Sequence, residues 1–254
     1  MLEAISPIRA IGEFFTFLGE CTLILLDAVR RLFKRPREIG ETLKQISFVG
    51  AASIPIVALT TFFSGAVLAL YSSELLVQYG AGSLAGGTIG LAVCREIAPV
   101  LAGIMVSARC GSAMAAQIGT MVVTEQVDAL KALSVHPTNY LVIPRIAACV
   151  IAVPILCMVG IYAGATGGYL VSVSNGVPAG SFIVSIRQFV EPWDFIGGLI
   201  KSLAFGFIIS IVACQQGLRA SNGAVGVGRA TTNAVVISMV LVYVANYVLA
   251  AILY

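Results

Sequence analysis

Five stretches of this chain are almost wholly apolar: Ile46 to Leu70, Ile89 to Ala108, Leu141 to Val173, Phe195 to Ala213, and Ala230 to Tyr254. Each is long enough to cross the hydrocarbon core of a bilayer, which takes around 20 residues as helix. The third is long enough to tilt or to extend past the membrane. Only 11% of the 254 residues are charged and mean hydropathy is +0.99, against about 25% charged in soluble domains. The expected fold is an all-α integral membrane protein with five transmembrane helices.

The basic residues set the orientation. Seven precede the first span (Arg9, Arg30, Arg31, Lys34, Arg35, Arg37 and Lys44). Arg109, Lys131 and Arg145 fall in the second-to-third connection, and Arg219 and Arg229 in the fourth-to-fifth. On the other side Tyr71 to Thr88 has none and Ser174 to Asp194 only Arg187. Twelve against one places the N-terminus in the cytoplasm and the C-terminus outside. The net charge of +3 reflects this segregation, and no nucleic-acid partner is expected.

Ile11 to Phe33 is apolar without being a span. Glu13, Glu20, Asp27 and Lys34 recur every seven residues on one helical face, and Ile11, Phe14, Leu18, Cys21, Leu25, Val29 and Leu32 occupy another. Such a helix lies in the cytoplasmic membrane interface, with Arg30 to Arg37 at anionic headgroups; a helix packed on a soluble partner is the alternative. Residues 1–44 thus form an N-terminal interfacial region and 45–254 the transmembrane domain.

The second span carries the most chemistry. Arg95-Glu96 sits inside it, and ionisable groups in a membrane are functional candidates because burying them is costly. Gly103, Ser107, Gly111, Ala115 and Gly119 recur every four residues, a smooth ridge for helix packing. In the connection that follows, Thr124 is placed to cap a short helix with Glu125 and Asp128 in its first turns. Val127, Leu130 and Leu133 form its apolar face, Asp128 and Lys131 are neighbours, and His136-Pro137 ends it. An amphipathic helix of this size on the basic side fits a groove of a cytoplasmic protein; a simple interfacial turn is the plainer reading.

No catalytic constellation is present. Gly197 to Ser202 lacks the glycine before lysine that a phosphate-binding loop needs, and one histidine with scattered carboxylates makes neither a triad nor a metal site. Gly223 to Gly228 reads as a turn. Cys21, Cys94, Cys110, Cys149, Cys157 and Cys214 lie in or beside apolar or amphipathic helices and read as free thiols. Met1-Leu2-Glu3 opens no signal or transit peptide. Energy for transport must come from another subunit or from an ion gradient.

Arg95 to Val100, Ala108 to Ala113, Ile118 to Met121, Thr124 to Leu130 and Gly226 to Thr232 together resemble the signature of the MlaE family, with Leu199 to Ser202 also similar. That family comprises permease subunits of ABC transporters that work with MCE-domain proteins to move lipids between membranes. The resemblance implies a homodimer, two cytoplasmic ATPase subunits that bind ATP and Mg, and an MCE ring on the outer side. It also implies a lipid pocket at the dimer interface, lined by Leu68, Leu76 and Tyr79, with Arg95 and Glu96 meeting a lipid's polar part. Thr124, Glu125, Val127, Asp128, Leu130 and Lys131 would form the coupling helix on the ATPase. No cofactor, metal or catalytic residue is expected in this chain. A bacterial inner membrane is the expected location, ahead of a chloroplast inner envelope. A gradient-driven secondary transporter and a non-transporting membrane scaffold are the alternatives.

Overall fold

The computed structural model describes residues 7–32 and 39–254, and of residues 7–11, 13, 14 and 32 the backbone alone. Helices account for the architecture, with no strand among the described residues. Among the described residues five helical paths are long and apolar enough to cross a membrane: 39–78, 82–123, 138–174, 192–218 and 223–253. Where water is absent, backbone groups must pair within the chain, and a helix does this locally. This is a multi-pass membrane protein whose helices run past the ends of its apolar stretches.

The chain begins with α1 (Pro7–Leu32) and α2 (Ile39–Val49), the latter straddling residue 44. A single 3-10 turn at Ala51–Ser53 separates α2 from α3 (Ile54–Gln78), and Pro55 in the first turn of α3 has no amide to lose there. The second path is a composite of α4 (Ala85–Ala92), α5 (Ala98–Val106) and α6 (Ser112–Val123). π-helical turns join these pieces at Val93–Ile97 and Ser107–Gly111. Then come α7 (Gln126–Ala132), a π turn at Thr138–Val142, α8 (Ile143–Ser174), α9 (Ala179–Phe189), α10 (Pro192–Leu218) and α11 (Gly223–Leu253). The α7 end of the bundle also holds α1 and the α10–α11 turn; the opposite end holds α9.

α8 is the hub, packed on α3, α5 and α10. Its approach to α3 depends on glycine, since a Cβ at Gly65 would overlap the Gly164 carbonyl and one at Gly167 that of Phe62. One continuous core links Val93, Val106 and Met114 of the second path with Cys149 and Leu156 of α8 and Phe205 and Ile209 of α10. α11, resting on α10 and α6, is the least covered span.

Several boundaries differ from the sequence reading. Arg109 and Arg145 belong to helices, because the second path continues to Val123 and the third starts at Thr138. Both find partners within the chain: Arg109 donates to the Phe48 carbonyl and Ser53 Oγ, and Arg145 to the Leu141 carbonyl and Gln117, leaving the buried Arg145 Nε without a partner among the described residues. Thr124 caps nothing, because its hydroxyl turns back to the Thr120 carbonyl. The residue before α7 is instead Glu125, in the left-handed region at φ 59. Nor does His136-Pro137 end α7. It ends four residues earlier through a left-handed Ser134 (φ 61), with Val135 N donating to Leu130 O and Ser134 N to Lys131 O. All six cysteines are free thiols.

The polar stripe of α1 faces the bundle. Glu20 accepts from Gln215 at 2.6 Å, Asp27 accepts from Thr138 and pairs with Arg31, and Ala28 is buried. Phe15, Leu18, Leu23, Leu26 and Val29 point outward, where a bilayer would cover them. The expected partners on these faces at Ile11, Glu13, Phe14 and Leu32 fall on side chains outside those described, as does that of Arg9; Phe33, Lys34, Arg35 and Arg37 lie outside the described residues.

Candidate functional site

Ten residues into the second path from Ala85, about 15 Å at the rise of a helix, the first π turn carries Arg95 and Glu96. A π turn inserts one extra residue and re-aims the side chains around it, and such turns occur often at functional sites. Here it directs two adjacent residues to different partners. Arg95 meets Asp194 of α10, with both Nε and Nη2 at 2.7 Å from Oδ1. Glu96 meets Lys201 of α10 at 2.7 Å and accepts from Asn246 of α11, also at 2.7 Å. The pairing is thus interhelical, and Arg95 and Glu96 are not each other's counter-ions.

Local structure fixes each partner. Asp194 sits in a capping box at the start of α10, its Oδ2 accepting from the Glu191 amide at 2.8 Å. Lys201 also donates to the Arg95 carbonyl at 2.9 Å, using a backbone acceptor that the π turn makes available. α10 comes this close because Gly198 has no Cβ; one there would lie 2.5 Å from the Cys94 carbonyl oxygen. The Tyr254 ring closes the cluster, 4.4 Å from the Arg95 guanidinium and 5.2 Å from the Lys201 ammonium, within cation–π range.

The four charges cancel, but they are not equally covered. The side chains of Asp194 and Lys201 are 2% and 0% exposed, while those of Arg95 and Glu96 are 37% and 44% exposed. Two buried counter-ions therefore hold a cation and an anion open on the protein surface inside an apolar span. Such a surface can hydrogen-bond a polar group that comes alongside it without leaving an unpaired charge in hydrocarbon.

Leu68 and Leu76 pack against the core from α3, and Tyr79 at its C-terminal cap is exposed. Leu68 lines a shallow groove of about 670 Å³ with Phe63, Val67 and Tyr71; Leu76 lies beyond it. The bonds of Arg95 and Glu96 run to α10 and α11 rather than to α3. Within one chain, the apolar trio and the charged pair therefore occupy neighbouring elements without direct polar contact.

Gly103, Ser107, Gly111, Ala115 and Gly119 are all buried. A Cβ at Gly103 or Gly111 would lie 3.3 Å from Phe205 or Ile209 of α10, and one at Gly119 would lie 3.1 Å from Ala220. At the α7 end Val127 is buried and Leu130 half-buried, while Glu125, Asp128, Lys131 and Leu133 are exposed. Asp128 and Lys131 pair at 2.8 Å. Asp194, Lys201, Asn246 and Tyr254 carried no functional weight in the sequence reading. The usable signal was Lys201, a second basic residue inside a span with no assigned partner.

Residues 42–252 match the family described as Permease MlaE. The chain is 45% identical over 233 residues to a probable ABC transporter permease protein of Rickettsia bellii, covering 91% of this chain and 90% of that one. It is 41% identical over 242 residues to a probable ABC transporter permease protein of Synechocystis, covering 95% and 89%. It is also 35% identical over 230 residues to the protein trigalactosyldiacylglycerol 1, chloroplastic, of Arabidopsis thaliana, covering 90% and 66%. The family match runs from within α2 to the last turn of α11, and the chain therefore belongs to the MlaE family of ABC transporter permeases.

Proposed function

We propose that this permease moves phospholipids or related lipids between membranes, as a homodimer driven by two cytoplasmic ATPase subunits and joined on the outer side to an MCE-domain ring. The observation that carries the reading is the half-open Arg95–Glu96 pair, neutral as a cluster and set in an apolar span beside the apolar outer face of α3. That is the amphipathic character a lipid presents, and few other solutes match it. A galactolipid in the printed name of the Arabidopsis relative points the same way. The excess of basic residues at the α7 end supports a cytoplasmic position for that end, and with it a contact between α7 and the ATPase in a bacterial inner membrane. ATP and Mg would then be bound, and ATP hydrolysed, by the partner.

Closed ion pairs would equally serve a scaffold that never moves a substrate, so the test must read transport and partners together. Affinity purification from native membranes is expected to recover an ATPase and an MCE-domain protein with this chain. Lipid mass spectrometry of that assembly is expected to show bound lipid that falls several-fold in Leu76→Glu. Transport by the chain alone, without nucleotide, would favour a gradient-driven carrier. Unchanged lipid in the variant would remove Leu76 from the pocket.

A further inference from the structure

A cleft of about 810 Å³ opens at the α7 end, between Phe17 of α1, the last turn of α10 and one face of α11. It lies at the end of the bundle opposite the Arg95 cluster, and its two ends differ in chemistry. Arg219 and Arg229 line one end, accompanied by Asn222 and Asn233. Neither guanidinium has an ion pair or hydrogen bond among the described residues, and no carboxylate among them lines the cleft. Along α11 the lining then changes to Val236, Ile237 and Val240. From Arg229 to Val240 the helix rises about 16 Å, close to the depth of one hydrocarbon leaflet in a core roughly 30 Å thick.

We infer that this cleft is a binding site for an anionic phospholipid of the leaflet at the α7 end. The phosphate would sit between Arg219 and Arg229, and an acyl chain would lie along Val236 and Val240. Three observations favour a lipid over a second copy of this chain. A self-complementary contact through this face would bring arginines towards arginines, with no carboxylate among the described lining residues to offset them. The polar-to-apolar order runs parallel to the bilayer normal, as it does in a phospholipid. The volume also falls within the range of small-ligand sites. Guanidinium groups recognise phosphate oxygens through paired donors, so the two unpartnered arginines have the matching chemistry. This site is independent of the proposed transport pocket. It needs only that α11 crosses the membrane.

The full chain in phosphatidylcholine nanodiscs, doped with photoactivatable phosphatidylglycerol or photoactivatable phosphatidylcholine, tests the inference. Peptide mapping is expected to place the phosphatidylglycerol label on residues 236–241 well above the phosphatidylcholine label. The double variant R219A/R229A is expected to lose about tenfold or more of that labelling, since each basic residue near anionic lipid contributes about one kcal/mol. R219K/R229K is expected to keep most of it. Equal labelling by the two probes in the unmodified chain overturns the inference whether or not the alanine variant folds. So does a Val240→Cys variant that joins two copies in high yield while excluding the probe. Labelling near Leu76 reports separately on the transport pocket, so either site can fail alone.

Discussion

At the scale of single residues, the four charges in the upper half of the bundle are unequal partners, and their burial says which removals matter. Lys201 is fully covered and Glu96 is not. Glu96→Gln strands a buried cation, whereas Lys201→Met leaves a half-exposed carboxylate that Asn246 still serves. Removing one partner of a buried pair costs more than the pair's net worth, so Glu96→Gln is expected to be the more destabilising of the two. The double variant should be less destabilised than Glu96→Gln alone, as a thermal double-mutant cycle in detergent would show. Asp194→Asn separates two roles, because asparagine keeps an acceptor for the Glu191 amide but removes the charge opposite Arg95. A loss of about 2–3 kcal/mol is expected, read as a fall in melting temperature. A loss under about half a kcal/mol would mean that the cap, not the ion pair, is what Asp194 supplies. Arg95 and Glu96 stood out in the sequence because charge in an apolar run is conspicuous. Asp194 did not, because a carboxylate at a predicted helix start already has an ordinary explanation as a capping residue.

At the scale of elements, the five spans were legible from hydropathy alone and the shorter pieces were not. α9 lay hidden in a connection, although Phe182, Ser185, Ile186 and Phe189 repeat at helical spacing. Its reason for existing is tertiary: Ser185 accepts from the Gly87 amide at 2.9 Å, and a Cβ at Gly86 would overlap the Phe182 carbonyl. The π turns were likewise unreadable, because an extra residue in a helix leaves composition unchanged. α1 shows a subtler limit. Periodicity separated its two faces but not which one meets protein, and it is the charged stripe that docks. Burial raises Asp27, but hydrogen bonds from Thr138 and Arg31 and the charges of Arg31 and His136 outweigh it, holding the carboxyl below its ordinary value of 3.8. A depressed carboxylate stabilises the docked state above its unfolded value and stops doing so as pH falls through the lower, folded value. Loosening of α1 is therefore expected only below about pH 4, seen as faster hydrogen exchange in Glu20 to Ala28 once intrinsic rates are corrected. In Asp27→Asn that acid-dependent step should vanish; its persistence would assign the step to Glu20 or another carboxylate.

At the scale of the whole molecule, the two candidate ends are joined by one helical path. From Glu96 to Val123 the second path runs about 40 Å at the rise of a helix, and its small-residue ridge rides on α10 and α11. α7 hangs from its lower end through the left-handed Glu125 and returns to α8 through Ser134. Displacement of α7 by an ATPase docked on it would thus reach α6 and α8 together, and through α8 the α3 face. The acidic side chains of Glu125, just before α7, and Asp128, within it, can be tested without disturbing this frame. Asp128 is 71% exposed and its pair with Lys131 lies at the surface, where such pairs contribute less than about 1 kcal/mol. Glu125→Ala with Asp128→Ala should consequently leave the melting temperature within a few degrees of the parent. If α7 docks on the ATPase, the same variant should lose much of the ATPase in co-purification and most nucleotide-driven lipid transfer. Leu133→Asp should do the same, because Leu133 is an apolar side chain left 74% exposed. Full association and full transfer in both variants, with both folded, would place the ATPase contact elsewhere on the α7 end.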